Sequence, residues 1–501
     1  MSKWRLLSDR GYWLIWLAAL CGVSLIHSAT LTISPTIWQD EVQLIEYGRT
    51  FIEPDSDWSV NWWGLSRPLL TAFYPGPLLQ EAAFRLSGGS MLGPRVSSLF
   101  GALLAATTAL LWLLSRGTPR YWAMLCGLLF LLDPIFVQSY RGARIDCWAL
   151  ASCFASCWQL RRALGAPDSR RLQHTAIAGA LSATAFIIWP SAVIVYPLIA
   201  AEFYSSSRPD RAFGGLNRSL ASQSLSFIGG CFLASALLIA PALPQFMGLI
   251  TGQAEWTYRS SISGFSCSDF HERLLEPWTF IRSFRVSPIL PLAGLFCILC
   301  GADLPLIVSS ACAAIFLHIA TVYPNRILYL LPYLLALCAD FRPASLHALT
   351  SSRQRIGTLL VILTLCWALA ASMIFRPAIA HSRRSSRDPS AIYEASLAYI
   401  GRGSHKVVLF PIEFYYAGRR LGWRMYWARW FKNDALTAIL SSADFAILSD
   451  SALSPEIAEA LEVAGLHSRG HIGKTSTTRR DSGILDSWVK TSYSPYIFYA
   501  R

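Results

Sequence analysis

The chain has 501 residues, of which 53% are hydrophobic and 15% are charged, and its net charge is +13. Soluble domains carry about 25% charged residues, so this composition excludes an ordinary soluble protein and indicates a chain built for lipid. Much of the positive charge lies in short loops between apolar runs, as the positive-inside rule expects. The basic balance therefore indicates a membrane protein surrounded by lipids, with no nucleic-acid partner.

Apolar runs of roughly 20 residues, the length needed to cross a bilayer, recur along the chain. They predict an α-helical polytopic membrane protein with about eleven transmembrane helices, placed in the inner (plasma) membrane. The first run follows Lys3, Arg5 and Arg10 and is too long for a cleaved signal peptide, so we expect a retained anchor whose amino terminus is cytoplasmic. The predicted spans are 12–33, 96–114, 121–137, 146–160, 175–204 (two crossings), 225–240, 288–300, 304–322, 327–339 and 356–375.

The apolar stretch 175–204 is interrupted by Trp189-Pro190, and either one tilted helix or two short helices would fit it. Two crossings keep Arg208, Arg211 and Arg218 on the cytoplasmic side, whereas one crossing would put them outside. The positive-inside rule therefore favours two helices that meet at Pro190.

The composition changes sharply after Phe375, which predicts two domains: a transmembrane domain over 1–375, with a large outer loop at 34–93, and an extracytoplasmic domain over 376–501. Within the outer loop, the pattern over 78–86 predicts an amphipathic helix after the break at Pro75-Gly76-Pro77. Helical and strand-like patterns alternate in the second domain and predict a small α/β fold. The expected helices lie at 385–400, around 436–440 and at 454–464, and the expected strands at 406–410, 445–448 and 495–499.

Two adjacent carboxylates, Asp40 and Glu41, follow the first span and so lie on the outer side, close to the lipid–water boundary. In a strand or irregular turn they would point in different directions, so one could act as a base while the other positions a substrate. The alternative interpretation is plain helix capping, because acidic residues are common in the first turn of a helix.

Ionisable residues at the head of the fourth span, Arg141, Arg144 and Asp146, are functional candidates because charges there are costly unless they are paired or wet. The alternative is a local Arg144–Asp146 pair with Arg141 reaching to the interface. A second outer loop at 241–285 carries His271 beside two carboxylates, for which a surface ion pair is the simpler interpretation.

Twelve cysteines raise the question of a metal or of disulfides, but all except Cys267 fall inside predicted spans. We interpret them as small buried apolar residues. No convincing metal set is present. A divalent cation stays open as a cofactor, because Asp40, Glu41 and His271 are the residues that could meet around one.

The order of these features resembles the polytopic GT-C glycosyltransferases, in the branch of protein O-mannosyltransferases and lipid A aminoarabinose or galacturonate transferases. The resemblance covers roughly the first 340 residues and rests on the order and spacing of several short motifs together. These are Asp40-Glu41, Tyr74-Pro75-Gly76-Pro77-Leu78-Leu79 with Gly88 and Arg95-Val96-Ser97-Ser98, Arg144-Ile145-Asp146, and Arg326-Ile327-Leu328-Tyr329-Leu330-Leu331-Pro332.

The resemblance implies transfer of a sugar from a polyprenyl-phosphate donor to an extracytoplasmic glycolipid, polysaccharide or protein, by inverting single displacement. Asp40 would then be the general base, and Glu41 would orient the acceptor or an ion. Cations would hold the donor phosphate as its negative charge grows. The expected phosphate-binding residues are Arg144, Arg326 and Arg141, and the expected substrate-binding residues are Asp146, Arg67, Tyr74, Tyr323, Tyr329 and His271.

The sequence departs from aminoarabinose-type relatives where they often place a lysine between the fifth and sixth spans. This chain has Ile188-Trp189-Pro190-Ser191 there, with no cation, so the donor stays open. A transporter or flippase of a lipid-linked glycan is the alternative function, since broken helices and intramembrane charges would serve it too. A non-catalytic member of a glycan-assembly complex is a third hypothesis.

Overall fold

A computed structural model describes residues 9–53, 61, 73–207, 216–250, 289–299, 303–320, 324–340, 352–431, 434–449, 452–472, 493 and 495–501. Among these residues the fold is mainly helical, with one small sheet. Its helices are α1 (Asp9–Ser28), α2 (Gln39–Ile52), α3 (Pro75–Leu86), α4 (Leu92–Ser115), α5 (Arg120–Leu132), α6 (Pro134–Arg141), α7 (Asp146–Leu164), α8 (Asp168–Ile188), α9 (Tyr196–Ser207), α10 (Leu216–Ile239), α11 (Leu243–Ile250), α12 (Ile289–Leu299), α13 (Leu304–Ala320), α14 (Leu331–Asp340), α15 (Ser352–Leu369), α16 (Arg376–Ser382), α17 (Pro389–Tyr399), α18 (Tyr415–Leu421), α19 (Asp434–Ser442) and α20 (Pro455–Val463).

The chain divides into two compact units, each built from segments that are distant in sequence. Unit 1 comprises Met1–Ser28, Ser98–Tyr140 and Ile145–Pro377. Unit 2 comprises Ala29–Ser97, Arg141–Arg144 and Ala378–Arg501. The region over 34–93 and the carboxyl-terminal region therefore belong to the same unit, which sequence composition alone does not indicate.

Four helical segments in the described part of the chain are long and apolar enough to cross a membrane: Asp9–Ser28, Leu92–Ser115, Leu220–Ala242 and Arg355–Ser382. A fifth is obtained if α5 and α6, which meet at a 56° bend, form one broken span. The structure thus has membrane-crossing helices as expected, whereas the count of eleven stays a prediction.

Unit 1 is a helical bundle whose helices approach closely at small residues. An added Cβ at Gly230 on α10 would lie 1.9 Å from the carbonyl oxygen of Ala176 on α8, so only glycine fits this crossing. The predicted break at Pro190 is present: α8 ends at Ile188, a 3-10 turn runs over Pro190–Val195, and α9 follows. The buried cysteines of this unit, such as Cys153 and Cys157, are free thiols, as their interpretation as core residues requires.

Unit 2 contains a five-stranded sheet in the order β2-β1-β3-β5-β4. Its strands are β1 (Lys406–Leu409), β2 (Arg424–Trp427), β3 (Phe445–Ser449), β4 (His467–Ile472) and β5 (Tyr496–Ala500). The first three strands are parallel to one another, with Val407 opposite Met425 on one side and opposite Phe445 on the other. Strand β5 runs antiparallel to both β3 and β4.

The core of this α/β part packs around β1 and β3, where Val408, Ala446 and Leu448 are buried against Leu440 of α19 and Leu461 of α20. Helix α20 is capped as its sequence predicts: Ser454 accepts a hydrogen bond from the backbone N–H of Ile457, and Pro455 opens the first turn. The predicted strands at 406–410, 445–448 and 495–499 are confirmed to within one or two residues. Strands β2 and β4 and helix α18 were not predicted.

The outer loop predicted over 34–93 is wrong in one respect, because Gln39–Ile52 forms helix α2. The amphipathic helix predicted at 78–86 is confirmed as part of α3. Helix α2 carries Asp40 and Glu41 in its first turn, and it crosses α3 at Gly48. An added Cβ at Gly48 would lie 2.2 Å from the carbonyl oxygen of Pro77, so this crossing requires glycine. The crossing fixes the direction of α2, and with it the direction of the carboxylates at its start.

Candidate active site

Asp40 and Glu41 occupy the first turn of α2, whose cap, Trp38, is extended and contributes no side-chain cap. Carboxylates in this turn are favoured by the partial positive charge at a helix amino terminus, so part of the capping interpretation holds. Successive helical residues point about 100° apart, because a turn takes 3.6 residues. The two side chains consequently diverge: that of Asp40 is 36% exposed, and that of Glu41 is fully buried.

Asp40 forms an ion pair with Arg144, whose guanidinium also lies over the Trp38 ring, 5.7 Å from its centroid. The indole nitrogen of Trp38 donates to the carbonyl oxygen of Gly142 at 3.3 Å. Between these contacts Ala143 takes a left-handed φ of 52°, which costs energy for a residue with a Cβ. The unfavourable backbone conformation at Ala143 is therefore part of the arrangement that holds this short segment beside the Asp40 carboxylate.

Glu41 is held by the buried Arg95, which donates from Nε to Oε1 at 2.9 Å and from Nη2 to Oε2 at 2.8 Å. The remaining Arg95 nitrogen donates to the carbonyl oxygens of Leu31 and Pro35. Tyr416 of α18 adds a hydrogen bond to Glu41 Oε1 at 2.7 Å. Burial, followed by the nearby Glu41 charge, raises the pKa of Tyr416 far above its ordinary value, so its hydroxyl remains a donor.

A second buried cluster lies further along the same helices. Arg419 donates to Glu46 of α2 at 2.9 Å and to Glu81 of α3 at 2.8 Å, and Tyr415 donates to Glu46 at 2.5 Å. Burial raises the pKa of Tyr415 well above its ordinary value; the Arg419 charge opposes this rise and the Glu46 charge adds to it. Helix α18 therefore supplies a hydrogen-bond donor to each of three buried carboxylates, Glu41, Glu46 and Glu81, and its Arg419 is also a cationic partner of the last two.

Other residues predicted for the site have structural partners. Arg141 is fully buried, and its Nη2 donates to the Thr30 carbonyl and hydroxyl oxygens and to the Ser34 carbonyl oxygen, at 2.7 to 2.9 Å. Tyr74 stacks on Phe51, with ring centroids 4.1 Å apart. These contacts brace the segments around α2, and a role for Arg141 at the donor phosphate stays a prediction.

Asp146 and Tyr329, both predicted to bind substrate, meet in unit 1, where the buried Tyr329 hydroxyl donates to Asp146 Oδ1 at 2.8 Å. Ser139 lies 3.5 Å from the other carboxylate oxygen. Arg326 is half-buried in a 3-10 turn, Pro324–Leu330, of the same unit. Arg67, Tyr323 and His271 lie outside the described residues, so the hypothesis of an ion held by Asp40, Glu41 and His271 stays open.

Metal-ligand geometry is not found among the described residues, where no three His, Cys, Asp or Glu side chains gather into a metal-binding group. Two residues that hold the acidic turn, Arg95 and Tyr416, were not predicted for the site. Arg95 was noticed only as part of a sequence motif. The pairing of Tyr416 with Glu41, 375 residues away, leaves no local signal in the sequence.

No protein-family model and no curated protein matches this sequence. The structure nevertheless has the GT-C fold that the sequence resemblance predicts. A solved structure that shares this fold is that of ArnT from Cupriavidus metallidurans bound to undecaprenyl phosphate. It matches with a TM-score of 0.56 at 12% identity, over 98% of each chain. At that identity the likeness establishes the fold alone, so the chemistry must be argued from the residues of the site.

Proposed function

We propose that this protein is a membrane glycosyltransferase that moves a sugar from a polyprenyl-phosphate donor to an extracytoplasmic acceptor by inverting single displacement, with Asp40 as the general base. The observation that carries the proposal is the contrast within one helical turn. Glu41 has a charged and a hydroxyl partner and no access to solvent, whereas Asp40 keeps about a third of its surface exposed and, among the described residues, pairs with Arg144. A base must reach the proton that it removes, and of these two carboxylates Asp40 is the one with an accessible oxygen.

The reaction fits these groups as follows. Asp40 would take the proton of the acceptor hydroxyl as that oxygen attacks the anomeric carbon from the face opposite the phosphate. The bond from the anomeric carbon to the phosphate oxygen breaks, and the electron pair leaves with the polyprenyl phosphate. In this proposal, Arg144 holds the Asp40 carboxylate ionised and oriented before substrate arrives. In the proposed reaction the Arg144 guanidinium, next to Asp40, also stabilises the charge that grows on the phosphate.

The solved structure of ArnT supports a polyprenyl phosphate as the carrier, since that protein shares the fold and was crystallised with undecaprenyl phosphate. The roles predicted for Arg326 and Arg141 at the phosphate, and for Asp146, Tyr74, Tyr329, Arg67, Tyr323 and His271 at the substrates, remain part of the proposal. In this proposal, residues 1–375 carry out catalysis and residues 376–501 shape the acceptor side.

The decisive experiment is transfer of labelled sugar from a panel of polyprenyl-phosphate sugars to membrane acceptors, comparing wild type with Asp40→Asn. The isosteric amide cannot take a proton, so we expect turnover to fall about 10²- to 10⁴-fold. Thermal unfolding should change little, because Asp40 is partly exposed. Near-wild-type turnover of Asp40→Asn would overturn the assignment, and label that crosses the bilayer without transfer would identify a flippase.

A further inference from the structure

Unit 2 contains a pocket of about 610 Å³ at one edge of its sheet. Its walls come from the residues that end or follow the three parallel strands: Phe410 to Glu413 after β1, Trp427 to Arg429 at β2, and Ser449 at the end of β3. Tyr496 at the start of the antiparallel β5 closes one side. A pocket of this volume is within the range of sites that hold a small molecule.

The pocket lies at the carboxyl ends of the parallel strands, at the point in the sheet where the strand order reverses. From β1 the chain passes through α18 to β2 on one side, and from β2 it returns through α19 to β3 on the other side of β1. Loops that leave the carboxyl ends of neighbouring strands in opposite directions open a crevice between them. In open α/β sheets, ligands bind in this crevice, so the pocket lies where the topology itself predicts a site.

The chemistry of the walls selects the kind of ligand. Phe410, Trp427 and Tyr496 contribute flat apolar rings, while Arg429, Glu413 and Gln39 contribute both hydrogen-bond donors and acceptors. A pyranose ring matches this set, since its C–H faces pack on aromatic rings and its hydroxyl rim both donates and accepts. One cation opposed by one anion gives no surplus charge for a phosphate.

A nucleotide is disfavoured by the turn after β1. Nucleotide-binding sheets use glycines there, so that the backbone can approach a phosphate at a helix amino terminus. Here the turn is Phe410-Pro411-Ile412, in which bulky side chains and a proline without an N–H fill that place. Glycan recognition is therefore favoured over nucleotide recognition at this switch point.

The pocket extends to the proposed catalytic turn within unit 2. Arg429 donates a hydrogen bond to the side-chain oxygen of Gln39, which lines the pocket and immediately precedes Asp40 in α2. We propose that this pocket is an acceptor subsite that binds a sugar residue, so that the acceptor is a glycan or glycolipid whose hydroxyl is presented to Asp40. That the bound sugar belongs to the acceptor rests on the proposed function, whereas the binding of a saccharide in this pocket does not.

Direct binding to the purified full-length protein in detergent tests the pocket without requiring transfer. The probes are methyl glycosides of common hexoses and N-acetylhexosamines, free galacturonate, and inorganic phosphate. Saturation-transfer NMR and the fluorescence of Trp427 and its neighbours report binding. We expect at least one glycoside to bind, with an affinity lowered about tenfold or more by Arg429→Ala.

Two variants separate the pocket from the rest of the protein. Arg424→Ala removes an exposed arginine at the opposite, amino end of the same strand and should leave binding unchanged. Gln39→Ala removes a polar group from the pocket wall and should weaken binding, which guards against a folding defect peculiar to Arg429→Ala. Absence of binding by every glycoside, binding of phosphate alone, or equal effects of Arg429→Ala and Arg424→Ala would overturn the proposal.

Asp40→Asn distinguishes the two proposals, because it should bind the glycoside as wild type does while its sugar transfer falls about 10²- to 10⁴-fold. In the transfer assay, Arg429→Ala should raise the KM for the acceptor with little change in kcat or in the KM for the donor, the pattern of lost ground-state binding. Efficient transfer to an acceptor without sugar, insensitive to Arg429→Ala, would overturn the subsite and leave the transferase assignment standing.

Discussion

Glu202 in unit 1 and Glu41 in unit 2 are buried carboxylates whose clusters show different uses of the same chemistry. In unit 1, Glu202 accepts from the Trp112 indole at 3.2 Å and pairs with Arg116 and Arg161. In unit 2, Glu41 pairs with Arg95 and accepts from Tyr416. Both glutamates are almost completely buried, and both have cationic partners, which is the condition for keeping a charge away from water.

The difference lies in what stands next to each cluster. Glu202 is followed by the apolar Phe203, whereas Glu41 is preceded by Asp40, the partly exposed carboxylate of the same turn. The unit 1 cluster therefore behaves as a structural tie between helices. In unit 2 the tie fixes the backbone on which a reactive group is presented, so stability and chemistry are assigned to adjacent residues.

The largest stability effect should come from Arg95→Ala. It leaves the Glu41 carboxylate buried without its bidentate partner, and breaking a buried pair in this way costs about 3–5 kcal/mol. Thermal unfolding in detergent, followed by intrinsic fluorescence, measures the loss. The double variant Arg95→Met with Glu41→Gln leaves no buried charge and should recover most of it. A double variant no more stable than Arg95→Ala would contradict this account.

A smaller effect is expected from Glu202→Gln in unit 1. Arg116 and Arg161 lose their charged acceptor, but both side chains keep some access to solvent. Losing hydrogen bonds to a charged group there should cost about 1.5–3 kcal/mol. Sugar transfer per folded molecule should be unchanged, in contrast to Asp40→Asn. If sugar transfer falls by more than the fraction of folded protein falls, this cluster does more than hold helices together.

The smallest effect should be that of Tyr416→Phe, which removes one hydrogen bond to Glu41 while Arg95 remains. We expect a loss of about 1–2 kcal/mol in the free energy of unfolding. Turnover should fall modestly, with the KM values almost unchanged, because only the orientation of the turn is loosened. Tyr399→Phe, at an exposed tyrosine of α17, serves as the control. Equal losses from the two variants would remove Tyr416 from the proposed support of the site.

Sequence reasoning located the four long apolar helices, the break at Pro190 and the buried strands β1 and β3. Their signals are local: long apolar runs, a proline, and short β-branched runs. It did not find α2, since the buried face of that helix includes Glu41, Glu46, Gly48 and Thr50. Polar residues on a buried face hide the hydrophobic period that would identify a helix. Their partners, Tyr416 and Arg419, are so distant in sequence that nothing local indicates that these polar residues are buried.

The same limit applies to the sheet and to the site. Strand β4, His467–Ile472, is an edge strand with mostly exposed polar residues, so it carries no alternating pattern. Asp40 and Arg144 were each predicted as functional residues from position and family resemblance, and the structure pairs them directly. Arg95 and Tyr416 could be assigned only once the fold brought distant segments together.

The large sequence separation between Glu41 and Tyr416 determines when their hydrogen bond can form during synthesis of the chain. The ribosome must add 375 further residues after Glu41 before its tyrosine partner exists. At about 5–20 residues per second, this takes roughly 20–75 s. During that interval Arg95 can pair with Glu41, Arg49 with Glu46 and Arg85 with Glu81. The hydrogen bonds from Tyr415, Tyr416 and Arg419 are still missing. Nascent chains that stop short of α18 would therefore carry carboxylates whose charge is paired but whose hydrogen bonding is incomplete.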